Sequence, residues 1–321
     1  MKKSLIALAT LAAVSGTAFA QSTVTLYGRI DASIGTNDTT TNGVTTNKGT
    51  ELMNGNFTGS RWGMTGKEDL GGGLAAVFSL ENRFNIDTGT DSGAFLGNAF
   101  VGLTGGFGTV HLGRTYTAFD SAKAVSTSNS VFDTGFTPTG TPAYEVRGAN
   151  QIKYVSPTMS GFSAIVSSGL KEDKTAGAKD VNGLALMYAA GPLSAAVSTQ
   201  TDAKGDNMIV SAAYNLGVAA VSAGYSTLEL VNAGNKSNGI NLGVTIPMGA
   251  LSFSLGYGSG ETETAAGAAV SEYSGFGAGV RYSLSKRTSL YAGYKNEKNE
   301  NTAGVNIKGT KLTAVGVRHD F

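Results

Sequence analysis

The sequence predicts an all-β fold, a transmembrane antiparallel β-barrel of 16 strands, and three observations predict it. Apolar and polar residues alternate with period two in many separate segments. The linkers between those segments are alternately short and long. The polar side of each segment is built mainly of Gly, Ser, Thr and Asn. Period two puts successive side chains on opposite faces of a strand. A soluble sandwich would need bulky inward residues to reach interior packing density, and such small polar residues do not supply them. The inverted arrangement accounts for more, with the apolar side toward lipid and the small polar side toward water. Composition agrees: 46 glycines, only 5 prolines and 41% apolar residues in 321 positions, without a long apolar run after the first twenty, fit neither a helical membrane protein nor a disordered chain.

Residues 1–20, MKKSLIALATLAAVSGTAFA, carry two lysines, an apolar run from Leu5 to Val14, and Ala18-Phe19-Ala20 before Gln21. This is the pattern of a cleavable secretory signal peptide, so the expected division is 1–20 as signal and 21–321 as barrel. Without Lys2 and Lys3, 22 basic and 23 acidic residues remain, and no charge excess points to nucleic acid. The absence of cysteine excludes a disulfide framework and thiolate chemistry.

The first strand is expected at 23–35, where Val24, Leu26, Ile30, Ala32 and Ile34 oppose Thr25, Tyr27, Arg29, Asp31 and Ser33. The next four are expected near 60–69, 74–84, 95–104 and 108–116, separated in part by Gly71-Gly72-Gly73 and Gly105-Gly106-Phe107. The middle of the chain supplies 148–156, 162–170, 182–190, 193–200, 207–216 and 218–228, with turns at Pro157 to Gly161 and Gly191-Pro192. Alternation is clearest at 239–247 and 250–259, where Ile240, Leu242, Val244 and Ile246 oppose Asn241, Gly243 and Thr245. Strands at 273–283, 288–296 and 310–321 complete the count. Long polar linkers are expected at 36–58, 85–93, 171–181, 229–238, 260–272 and 297–309. Short turns on one side and long loops on the other are the outer-membrane pattern.

Parity puts Arg29, Arg61, Lys67, Arg83, Lys153 and Arg281 on the polar side, with Asp31, Asp69 and Glu81 among the acidic neighbours. On the lipid side each base would cost about 2–4 kcal/mol at the midplane. The basic excess on this wall implies a modest anion preference. Only His111 and His319 offer an imidazole, and neither sits where a Ser-His-Asp arrangement would be exposed; no HExxH spacing occurs. The residues therefore imply no enzyme, no metal site and no cofactor. Gly275, Gly277 and Gly279 lie within an alternating strand instead of opening a helix, so they do not form a nucleotide loop.

Several spaced segments resemble the general diffusion porins of Gram-negative bacteria, of the β-proteobacterial type: Leu26 to Asp31 (LYGRID), Ser60 to Gly71 (SRWGMTGKEDLG), Asn98 to Leu103 (NAFVGL) and Val317 to Phe321 (VRHDF). The resemblance runs from the first strand to the last. It implies a homotrimer in the cell outer membrane, reached through the periplasm, that passes ions and small hydrophilic solutes by passive diffusion, in contact with outer-membrane lipids and lipopolysaccharide. It also implies a long third loop folded into the pore, here Tyr116 to Gly148, whose acids Asp120, Asp133 and Glu145 would face a basic wall of Arg29, Arg61, Arg83 and Arg114. Simple alternation aligns Arg114 with Val110 and Leu112, so a wall position would require a bulge or strand end near Gly113. The terminal Phe321 is the signal that the outer-membrane assembly machinery reads in such barrels. A substrate-specific channel and a surface adhesin barrel are the alternatives; the first would show aromatic or dense arginine ladders, the second a loop surface built for a partner.

Overall fold

The computed structural model describes residues 23–47, 49–91, 93–132, 135–138, 140–170, 180–231 and 234–321; the expected signal peptide lies outside them. Among the described residues, sixteen antiparallel strands follow one another around a closed barrel. Strand β1 spans Thr23–Thr41, and β2 is interrupted, its pieces Val44–Thr46, Thr50–Asn54 and Arg61–Gly71 all pairing with β1. Then come β3 (Leu74–Arg83), β4 (Ala99–Gly105), β5 (Gly108–Tyr116), the helix α1 (Ala118–Thr127) and β6 (Arg147–Val155). The remainder is β7 (Phe162–Gly169), β8 (Val181–Ala190), β9 (Leu193–Thr201), β10 (Gly205–Asn215), β11 (Ala220–Leu230), β12 (Lys236–Met248), β13 (Leu251–Glu263), β14 (Ala269–Ser283), β15 (Thr288–Asn301) and β16 (Asn306–Asp320). Each strand pairs with the next, and β16 returns to β1 from Arg29↔Asp320 to Thr41↔Lys308. Closure leaves no sheet edge with unpaired N–H and C=O groups in hydrocarbon.

The two faces of the wall follow the sequence period. In β12, Ile240 and Leu242 are exposed while Asn241 between them is buried. Leu255 and Val315 are more than half exposed, and apolar side chains of this size ring the barrel. A continuous apolar surface of this extent belongs against lipid, not water. The opposite face carries Ser198, Ser211, Ser222, Ser254 and glycines. At the seam, Phe321 and Gly28 exchange backbone hydrogen bonds of 3.0 and 3.1 Å, and a Cβ on Gly28 would meet the Phe321 ring at 2.3 Å. Only glycine lets that ring lie flat on β1.

Three of the expected loops need correction. The segments 36–58, 260–272 and 297–309 are largely strand, because β1, β2 and β13 to β16 continue through them. There both faces are polar, so hydropathy contrast disappears while the ladder persists, as in Lys298↔Gly309 and Glu261↔Glu272. Strands β12 to β16 reach 13–15 residues, whereas β3 to β8 have 7–10. The wall is therefore taller on one side.

The helix α1 was not expected. Thr117 caps it, its Oγ1 accepting from the Asp120 amide at 3.3 Å, and Asp120 in the first turn complements the helix dipole. Ala118, Phe119, Ala122 and Ser126 form its buried face. They pack on Ile165, Ala185, Ala196 and Ile209, which stand on the otherwise small-residue face of β7 to β10. Burying Phe119 and Ile209 contributes about 1.5–3 kcal/mol each. Further along, Val131 and Phe136 pack with Met53, Phe57, Tyr291, Leu312 and Ala314 on the same face of the sheet, at β2, β15 and β16. The chain returns through Gly140, whose N–H donates to Asn241 Oδ1 at 2.7 Å. Glycines clear its path: a Cβ on Gly224 would come within 2.4 Å of Ser126 Cβ, and one on Gly277 within 2.2 Å of the Phe136 carbonyl.

Candidate functional site

Three arginines stand side by side in register on β1, β2 and β3, as Arg29↔Arg61 and Arg61↔Arg83. Like charges directly opposite repel, so the row persists only because its neighbours hold it. Glu81, two residues before Arg83 on the same face, takes Arg83 Nη2 at 3.0 Å and Arg61 Nη1 at 3.7 Å, and accepts from Tyr27 Oη at 3.2 Å. Thr58 Oγ1 accepts from Arg29 Nη1 at 3.4 Å and Arg61 Nη2 at 3.2 Å. Arg29 also approaches Asp320 at 3.5 Å, which Arg318 grips at 2.8 Å.

Thr58 is positioned by Asp31. This fully buried carboxylate accepts the amide hydrogens of Phe57 and Thr58 at 2.8 and 2.6 Å and the Tyr291 hydroxyl. Residues 55–60, the break in β2, are thereby fastened to the wall below the row. Sequence parity gave Asp31 only as an acidic neighbour of the arginines. Its hydrogen bonds go instead to the backbone of this break and to Tyr291, which no local pattern announces.

The basic surface continues onto β5 and β6. Arg83 Nη2 donates to Tyr116 Oη at 3.4 Å, and the Arg147 guanidinium lies 3.8 Å over the Tyr116 ring. Lys153 Nζ donates to the Tyr116 carbonyl at 3.0 Å and reaches Ser121 Oγ at 3.5 Å, tying β6 to α1. Arg147 escaped the sequence reading because its strand was begun at residue 148. Parity with Gln151 and Lys153 would have found it.

The remaining expected residues are scattered. The chain register shifts between Gly113 and Thr115, but Arg114 does not join the row: its Nε donates to the Leu96 carbonyl at 3.1 Å. It lines a separate cleft with Glu145, Arg147 and Lys204. Glu145 turns to the β9–β10 corner, its carboxylate 3.5 Å from Lys204 Nζ and its amide donating to Asp202 at 2.8 Å. Asp120 accepts from Tyr144 Oη at 2.8 Å. Burial pushes the Asp120 carboxyl above the usual carboxylate range, and the Tyr144 hydrogen bond with the nearby charges of Lys123, Arg147 and Lys153 opposes that. Burial, reinforced by Asp120, pushes the Tyr144 phenol up. Asp133 lies outside the described residues.

Chemically, this surface can attract and orient small anions, and it offers no nucleophile paired with a base. Among the described residues no group of His, Asp and Glu is arranged to hold a metal ion.

Comparison with known proteins gives a consistent result. A family model described as Gram-negative porin matches residues 7–302. The chain is 33% identical to outer membrane porin protein 32 of Delftia acidovorans and 31% identical to an outer membrane porin protein of Bordetella pertussis, each alignment covering 100% of both chains. Among solved structures, an anion-selective porin from Comamonas acidovorans superimposes with a TM-score of 0.81 at 27% identity, over 94% of this chain and 100% of the other.

Proposed function

Because this chain belongs to the Gram-negative porin family, we propose that its channel is narrowed by residues 117–145 and biased toward anions by the arginine row. The barrel itself is an outer-membrane diffusion channel for ions and small hydrophilic solutes, and not an enzyme. One observation carries the anion reading: Arg29, Arg61 and Arg83 are adjacent on three strands, with Arg147 and Lys153 beyond them, and their main acidic neighbour Glu81 is shared by two of the arginines. The solved relative named anion-selective supports the same sign. Two unit charges about 10 Å apart in water interact by only about 0.4 kcal/mol, so the selection is a bias summed over several groups.

The narrowing is supported by contacts of one segment with both sides of the barrel, at Ile209 on β10 and at Tyr291 on β15. Contacts with both walls of a closed sheet support a course of this segment through the lumen. Its acids are not aligned opposite the row, since Asp120 is engaged by Tyr144 and Glu145 by Lys204. The transverse field is accordingly carried mostly by the basic wall.

The channel assembles as a homotrimer, in line with the porin resemblance. Its apolar face meets outer-membrane lipid and its taller rim lipopolysaccharide. Residues 1–20 direct export and Phe321 is read by the assembly machinery. Reconstitution into a planar bilayer tests the core of this reading: conductance steps grouped in threes and a reversal potential favouring chloride over potassium are expected. A clear cation preference would overturn the role given to the arginines.

A further inference from the structure

The lumen carries a second feature on the short-turn side of the arginine row. A cavity of about 570 Å³ opens against β1 to β5, bordered by Tyr27, Lys67, Phe100 and His111 among threonines. Phe100 and His111 stack on each other, with ring centroids 4.0 Å apart and planes inclined by 26°. Gly102 makes room for them: it pairs with His111, and a Cβ there would come within 2.8 Å of His111 Cδ2. The large side chains elsewhere on the lumen face are engaged, Tyr116 under Arg147, Tyr291 by Asp31, and Ile165 and Ile209 under α1, whereas Phe100 and His111 border open space, so two flat side chains stacked over a glycine form a platform that simple diffusion does not need.

Charge fixes the kind of solute. Thr23, Lys67, Val77, Gly102 and His111 occupy one register row across five strands. Lys67 is exposed, and no carboxylate borders the cavity. From Lys67 to His111 is three strand spacings, about 14 Å, which a lysine stem and one benzene ring bridge between them. The hydroxyls of Thr65 beside Lys67, and of Thr23 and Thr25 on the strand beyond it, border the Lys67 end of the niche and offer donors to a carboxylate oxygen.

We propose that this niche binds small planar aromatic carboxylates, the ring lying against Phe100 and His111 and the carboxylate toward Lys67. The volume is in the range of small-molecule sites. Stacking contributes in a way that an aliphatic acid of the same charge cannot reproduce. The niche would hold an aromatic anion after it has passed, or before it enters, the arginine row. This rests on the channel reading, and it adds a solute class to it.

The probe is benzoate, with acetate and cyclohexanecarboxylate as controls of charge and size. Two readouts are taken on the full-length mature protein: block of chloride current in bilayers, and saturation-transfer NMR on the detergent-solubilised barrel. Benzoate is expected to halve the current at a concentration at least threefold below that of cyclohexanecarboxylate, with ring protons saturated. Phe100→Leu should raise that concentration at least threefold while leaving chloride conductance in the absence of benzoate near its original value, and Lys67→Met should raise it at least threefold relative to its own benzoate-free current. Equal potency of the three acids on the unmodified protein would overturn the proposal without any variant. So would benzoate block that Phe100→Leu leaves unchanged. Absence of channel current with ring saturation intact would sink the diffusion reading and leave the niche standing, whereas normal anion-selective current without ring saturation would do the reverse.

Discussion

Arg61 stands directly across the β2–β3 ladder from Arg83, and both guanidinium groups close on the carboxylate of Glu81, at 3.7 and 3.0 Å. Two like charges share one acid, so the acid holds the geometry without cancelling the charge. Glu81→Gln should therefore strengthen anion preference and loosen the wall together. A stability loss of about 1–3 kcal/mol is expected for the unpaired buried partners. Reversal potentials under a salt gradient and urea unfolding of the refolded barrel measure the two effects; unchanged selectivity would show that the row does not govern the lumen.

Arg147 and Arg114 separate on their contacts. Arg147 lies over Tyr116 beside Arg83, whereas Arg114 is spent on the Leu96 carbonyl. Arg147→Gln should lower anion preference clearly, and Arg114→Gln should leave it nearly unchanged. The same reversal-potential measurement on both variants decides this, and equal effects would contradict the assignment.

The acidic limb of the pH response is expected to trace to Asp120. Burial raises its carboxyl above the ordinary 3.8, against the pull of Tyr144, Lys123, Arg147 and Lys153. The native state thus holds this proton more tightly than the unfolded chain. The group's effect on stability is then absent below the unfolded value and becomes increasingly unfavourable as pH rises from 3.8 through the native value. Asp120→Asn should remove that decline, seen as a flatter melting temperature between acidic and neutral pH. It should also raise anion preference at neutral pH to the level the unmodified channel reaches in acid.

Gly224 tests how α1 is seated. Its missing Cβ would approach Ser126 to 2.4 Å, so Gly224→Val forces helix and wall apart. Overpacking of this kind costs about 1–3 kcal/mol. Single-channel conductance should fall, because α1 pushed away from β11 moves further into the channel that it narrows. Gly249→Ala serves as control, since nothing lies near that turn position and only its φ of 63° is disfavoured.

At the seam, Phe321→Ala removes the ring from Gly28 and keeps the backbone pair. The ring is only partly buried, so a loss of about 1–2 kcal/mol sets the expected drop in heat resistance of the folded barrel. If Phe321 is also the assembly signal, the variant should refold in detergent yet insert poorly in cells. Pulse-chase fractionation against in-vitro refolding distinguishes the two contributions.

The barrel was legible because lipid imposes one rule on every spanning residue, and Ile240, Leu242, Val244 and Ile246 obey it without interruption. Legibility ended where that solvent ended. Above the membrane, β15 and β16 continue through Glu297 to Asn301 and Asn306 to Gly309 with polar residues on both faces, so only the ladder marks them. The arginine row was readable by parity, residue by residue. What parity could not supply was the partner each arginine chooses, because Thr58 and Leu96 come from a break and a loop with no period, and Tyr116 is the last residue of its strand. The helix has two signs in the sequence: Thr117 three residues before Asp120, and the apolar Ile209 and Ile165 on faces otherwise built of small residues. An apolar residue on the watery side of a barrel strand is evidence that something covers it.

The unequal height of the wall has a consequence for approach. Strands of 13–15 residues exceed what is needed to cross the hydrocarbon, so β12 to β16 stand as a palisade, while the strands at β4 to β8 end as a low sill. Arg114, Arg147 and Lys204 lie along that sill, and Glu261, Glu263, Glu272 and Glu300 are distributed over the palisade. Lys236, Lys298 and Lys308 stand among those acids, so the palisade screens by height and not by sign; the shape of the doorway sets the side from which a solute comes in, before any narrow place is reached.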